Sequence, residues 1–240
     1  MTDVNKDILH DSERLKQETP GMWQDYYIEK RPFGKMSEYK DDFHAWVADA
    51  WTVTEVGTCT QEIEDIRNGV LRLTSGSTEN NGSQLQLGGS GDDETLGESF
   101  APSSGTNLWF ECRVKSNDVT QHDIFVGLHV QDTTAVASRG SDYIGFRTDD
   151  GDASLDIENA ASSTASEETA VATLVDATWV KLGFKVTNTS KIEFYVDDVL
   201  KATQTTNIPT ALMKLTIGHL TGEAAANELD VDYVICAQER

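Results

Sequence analysis

Hydrophobic and polar positions alternate strictly from Trp179 to Val186. Val180, Leu182, Phe184 and Val186 share one face, and Lys181 and Lys185 take the other. A polar stretch, Thr187 to Ser190, separates this run from a second, in which Ile192, Phe194 and Val196 fall together. Two adjoining period-two runs joined by a turn predict an antiparallel hairpin with one buried face. Asp197-Asp198 predicts a second tight turn, with the chain continuing as a strand from Val199 to Thr203.

The same period recurs upstream. Strands are predicted at Trp46 to Val53, Val70 to Thr74 and Gln84 to Leu87. Leu108, Phe110, Cys112 and Val114 make one strand face, and Ile124, Val126, Leu128 and Val130 another. Tyr143 to Arg147, Leu155 with Ile157, Thr169 to Leu174, Leu215 to Ile217 and Leu229 to Ile235 complete the set. Residues 75–83, 88–97 and 160–168 read as loops. More than ten short strands and no central helix predict an all-β fold, a two-sheet antiparallel sandwich or jelly roll. This domain is expected over residues 41–240. Residues 1–40 differ: Val4, Ile8 and Leu15 lie at helical spacing before Thr19-Pro20-Gly21, and an aromatic stretch without clean period follows. A short helical and extended N-terminal arm is expected there.

Charge sharpens this division. The 240 residues carry a net charge of −22. Residues 1–45 hold 7 Lys/Arg against 10 Asp/Glu, and the rest hold 12 against 31. An acidic body of this kind argues against direct binding to nucleic acid or to an anionic membrane. No apolar run approaches the ~20 residues that span a bilayer, and the N-terminus lacks the basic-then-apolar order of a secretory leader. Cys59, Cys112 and Cys236 are widely spaced, and free thiols, buried for Cys112 and Cys236, are expected. In the arm, Trp23, Tyr26, Tyr27, Arg31 and Phe33 either pack on the chain's own sheets or anchor it to a partner, since these residue types dominate interface cores.

Three stretches carry a family resemblance. Thr178 to Leu182 with Ile192 to Asp198, Phe125 to Leu128 followed by Asp142 to Phe146, and Leu229 to Val234 together resemble the concanavalin A-like, laminin-G-like jelly roll. Members usually place Gly at the position of Asp198. The order of helical arm, aromatic linker and Phe43 leading into the β domain is similar to tailed-phage virion proteins. That resemblance implies a capsid decoration (cement) protein on the outer surface of a virion, with the major capsid protein as partner and self-association as a dimer or trimer.

Candidate chemistry is sparse. Glycoside hydrolases of this fold place Glu-x-Asp-x-Glu on one strand face, and a retaining site needs two carboxylates about 5 Å apart. Ser154-Leu155-Asp156-Ile157-Glu158 supplies Asp156 and Glu158 but has Ser154 at the nucleophile position. Glu62 and Glu64 are followed by Ile66 where the second Glu belongs. No catalytic residue and no enzymatic activity are therefore expected, and Asp156 and Glu158 are expected to face solvent. Asp149, Asp150 and Asp152 form an oxygen-rich turn, the one candidate for Ca²⁺, against an ordinary hairpin turn. No other metal and no cofactor are expected. His129 and His219 are expected at outward or edge positions. Trp109 and Phe125 alternate out of register with their apolar neighbours and are the candidates for stacking on a glycan, unless the arm covers them. The leading expectation is capsid decoration. The alternative is a glycan-binding adhesin or tail-associated lectin-like module that grips host surface polysaccharide, and a glycoside hydrolase ranks last.

Overall fold

A computed structural model describes residues 22–23, 36–64, 66, 69–88 and 100–240. Fifteen strands follow in chain order: β1 Met36–Asp41, β2 Trp51–Val56, β3 Thr60–Ile63, β4 Leu71–Thr74, β5 Gly82–Leu87, β6 Asn107–Ser116, β7 His122–His129 and β8 Tyr143–Thr148. Then come β9 Ser154–Ala161, β10 Thr164–Thr173, β11 Val180–Thr187, β12 Lys191–Val196, β13 Val199–Gln204, β14 Lys214–Thr221 and β15 Glu228–Glu239. Every pairing is antiparallel. The first sheet runs β13-β12-β11-β6-β15-β4-β3, with β1 on the far half of β15, and the second runs β10-β9-β8-β7-β14-β5-β2. The two form the jelly-roll sandwich that the alternation predicts.

Its core is the sum of the inward faces. Phe110 stacks on Phe184 within the first sheet at 4.9 Å. Phe146 of β8 meets Phe194 of β12 edge-on at 5.5 Å and ties the sheets together. Truncating one such ring costs about 3–5 kcal/mol through lost burial and the cavity left behind. Cys112 and Cys236 lie in this core, neither of them in a disulfide.

Two turns show how local chemistry sets register. Asp197 and Asp198 both take positive φ, 49° and 65°, as a two-residue hairpin demands. Without glycine, the turn is held by Lys181, whose N–H donates to Asp197 Oδ1 at 3.0 Å and whose Nζ pairs with Asp198. Ser162 and Ser163 repeat the geometry, with φ of 51° and 64°, between β9 and β10. Residues 160–168, read as a loop, are therefore mostly strand. Much of β10 is exposed on both faces at the sheet edge, so it carries no apolar alternation to mark it. The first sheet also begins earlier than residue 41, because β1 starts at Met36. The expected helix over residues 2–19 lies outside the described residues.

Candidate functional site

Strand residues of the second sheet that do not enter the core point to its outer face, and the register aligns them in rows. Thr52, Gln86, Thr216, Gly127, Gly145 and Glu158 form one row. Thr54, Gln84, Gly218, Phe125, Arg147 and Asp156 form the next. Lys214, His129, Tyr143 and Ala160 form a third. Amide, guanidinium, carboxylate and aromatic groups thus surround a floor of small residues.

The chain covers this face with its own segment. Residues 130–142, which link β7 to β8, cross it as a strap. Gln84 donates through Nε2 to the Asp132 carbonyl and accepts the Ala135 N–H at 2.7 Å. Gln86 accepts the Asp132 N–H at 2.9 Å and donates to the Val130 carbonyl at 3.1 Å. Arg147 donates to the carbonyls of Val136 at 2.7 Å and Ala135 at 3.2 Å. Val136 packs among Phe125, Tyr143, Ala160 and Leu220. It sits where Gly218 leaves room: a Cβ on Gly218 would come within 2.5 Å of the Val136 side chain.

Burial sets the electrostatics beneath the strap. His129 stacks on Tyr143 at 5.6 Å with its ring edge to Phe125. Its Nε2 accepts the Gly140 N–H at 3.3 Å, so Nδ1 carries the proton that goes to the Val130 carbonyl at 2.7 Å. That neutral tautomer agrees with the depression of the His129 pKa by desolvation. Desolvation, then the charge of Glu158, pushes the Tyr143 phenol up to about 12. Glu158 is 1% exposed and lies between two guanidinium groups, Arg139 at 2.5 Å and Arg147 at 3.4 Å. Arg139, on the strap, also reaches Asp149 at 3.6 Å and Glu167 at 3.8 Å. It is the ionic end of the clasp.

These positions correct several expectations. Glu158 does not face solvent, because the strap and both arginines enclose it. Asp156, two residues along the same strand face, accepts the Ala170 N–H at 2.7 Å. Phe125 and Trp109 both point outward from their sheets, yet both are 0% exposed. Neither ring offers a stacking face in this conformation. His129 is buried under the strap, and His219 lies in the core rather than at an edge. Trp23 of the arm turns to the chain's own first sheet, where its indole N–H donates to Glu111 Oε2 at 2.6 Å. Tyr26, Tyr27, Arg31 and Phe33 lie outside the described residues. Asp149 pairs with Arg139, Asp150 donates its N–H to Asp123, and Asp152 caps the Ser154 N–H. Among the described residues no group of three or more His, Cys, Asp or Glu converges to hold a metal ion.

Gln84, Gln86, Arg139 and Arg147 escaped the sequence reading. Gln84 and Gln86 alternate with Leu85 and Leu87, which marks them as outward. The apolar pair Ala135-Val136 in a polar loop is the trace of a segment that packs back on its sheet.

The sequence matches the family described as SO2946-like, C-terminal domain, over residues 66–232, and the chain belongs to that family. No curated protein matches it. The structure is similar to the protein of unknown function SO2946 from Shewanella oneidensis MR-1, with TM-score 0.57 and 16% identity, covering 95% of this chain and 93% of that one. It is also similar to a prokaryotic β-1,3-1,4-glucanase (lichenase) from a mouse hindgut metagenome, with TM-score 0.58 and 13% identity over 83% of this chain and 98% of that one. The carbohydrate recognition domain of Emp47p aligns with TM-score 0.54 and 11% identity over 86% of this chain and 98% of that one. At these identities the likeness establishes the concanavalin A-like jelly roll. It overturns the expectation that the chain is no enzyme: a lichenase uses the same fold, and a missing motif residue does not remove the class. Nothing in these matches points to a tailed-phage virion protein or a capsid.

Proposed function

We propose that this SO2946-like protein recognises carbohydrate on the outer face of its second sheet, with the strap of residues 130–142 held over that face until ligand displaces it. One observation carries the reading. Gln84, Gln86 and Arg147 each bind the strap through paired contacts to backbone groups. Planar amides and guanidinium groups that hold adjacent acceptors and donors are equally suited to adjacent sugar hydroxyls, which both donate and accept. The rings of Phe125 and Tyr143 lie among them and supply the apolar faces that a sugar ring needs. The lichenase and the Emp47p carbohydrate recognition domain make β-glucan oligosaccharides the first ligands to try.

The test is a glycan array on the full chain and on Gly218→Ala, in which the added methyl presses on Val136 and loosens the strap. Binding to a β-glucan is expected, stronger in Gly218→Ala and lost in Arg147→Met. Hydrogen exchange should then show residues 130–142 losing protection as ligand binds. Release of reducing ends from the same glycans reports whether turnover accompanies binding. An array without hits for both proteins would overturn the reading.

A further inference from the structure

A cavity lies away from the strap, between the two sheets at one end of the sandwich. It has a volume of about 450 Å³, within the range of small-molecule sites. Val114, Ile124 and Val196, from the inward faces of both sheets, line it deeply, and Leu174, Val180 and Ala172 continue its walls. At its mouth Val175 and Val199 are 62% and 55% exposed. Large aliphatic side chains left in water at the rim of an apolar cavity mark a surface that gains by being covered.

The polar groups at the cavity are mostly engaged. Ser116 Oγ bonds His122 Nδ1 at 2.8 Å and accepts the Asp118 N–H at 3.2 Å. Asp197 accepts the Lys181 N–H, and Thr178 Oγ1 donates to the Asp176 carbonyl. Arg113 and Lys115 lie about 5 Å from the Trp179 ring centroid but are ion-paired with Asp232 and Asp230. Lys201, exposed at the lining, has no ion pair among the described residues. A solvated ammonium beside an apolar cavity is the local complement of an anionic head on an apolar body.

From this geometry we infer that the end cavity binds a small amphiphilic anion, its apolar part between the sheets and its carboxylate or sulfonate at Lys201. The Ser116–His122–His219 series behind it has the order of nucleophile, base and orienting group, with His122 Nε2 at 2.7 Å from His219 Nδ1. A second imidazole brings no negative charge to hold an imidazolium, and burial drives His122 down to about 3. Ser116 is therefore a polar point on the wall. The inference is independent of carbohydrate binding, since the cavity opens between the sheets and the strap lies outside them.

The experiment is displacement of anilinonaphthalene sulfonate from the full chain by decanoate and by decanol. Saturable binding of one decanoate per chain is expected. Ala172→Phe, which fills the cavity from the edge strand, should abolish it. Lys201→Glu should weaken decanoate about fivefold, the size of one partly exposed ion pair, and leave decanol unchanged. No saturable binding of either ligand would overturn the inference. So would parental affinity in a folded Ala172→Phe, or an equal effect of Lys201→Glu on both ligands. Should Ala172→Phe fail to fold by circular dichroism, the exposed Lys201 variant still decides.

Discussion

The outer faces of the two sheets are built by the same alternation and end in different environments. On the first sheet, Arg113 pairs with Asp232 at 2.8 Å with its side chain 41% exposed. On the second, Arg147 serves Glu158 and two strap carbonyls at 3% exposure. The residue types match, and the cover differs. A half-exposed ion pair is worth little because water competes for both partners. A buried one must stay complete, since removing either partner strands a charge without solvent. The sheets also differ in titration, because His129 on the outer face and His122 and His219 facing the core all stand on β7 and β14 of the second sheet, and the strands of the first hold no histidine.

Acid should break the comparison most strongly. His122, His129 and His219 all have folded pKa values depressed by burial, His122 to about 3. A depressed folded value means the unfolded chain binds more protons, so their contribution is intact above the unfolded value near 6.5 and is lost as pH falls below it. A histidine that stays neutral in the fold while the unfolded chain is protonated costs about 1.4 kcal/mol per pH unit. Urea midpoints at pH 7, 6, 5 and 4 should fall steeply, and His219→Gln should flatten the slope by about one proton. In the first sheet, burial alone would raise the Asp230 carboxyl, but hydrogen bonds from Arg72 and Lys115 outweigh it and the pKa is lowered. Its stabilisation is lost only below the ordinary aspartate range of about 3.9. A midpoint independent of pH between 7 and 5 would contradict the neutral histidines.

Arg147→Met comes next. It leaves Glu158 with Arg139 alone and removes the two guanidinium bonds to the strap, and should cost about 3–5 kcal/mol in denaturant unfolding. Gln84→Ala unpairs the Asp132 carbonyl and the Ala135 N–H, and about 1–3 kcal/mol should go with it. Hydrogen exchange should place that loss at residues 130–142. Glu111→Gln, on the first sheet, weakens the bonds from Trp23 and from Tyr233 at 2.7 Å. About 1 kcal/mol is expected, together with a change in Trp fluorescence. The smallest effect is Arg113→Met, within about 1 kcal/mol. Equal losses for Arg113→Met and Arg147→Met would remove the distinction between the two faces.

Much of the architecture was legible in the sequence because period-two alternation has one structural meaning when one face is buried. Leu182, Phe184 and Val186 had to point together, and the core pairs follow from that. The edge strand β10 was not legible, since exposure on both faces erases the signal. Glu158 shows the limit for the site. Alternation places it opposite Leu155 and Ile157, and that is correct, but opposite to the core is not the same as open to water. The sequence by itself determined which side residues take within a regular alternating run, since that follows parity along the chain, whereas the bulge between Val231 and Tyr233 shifts parity so that Leu229, Val231, Val234 and Cys236 all enter the core. Only the tertiary structure decided which outward side is covered, because the strap meets Gln84 and Gln86 on β5 and Arg147 on β8 through contacts that no local pattern records.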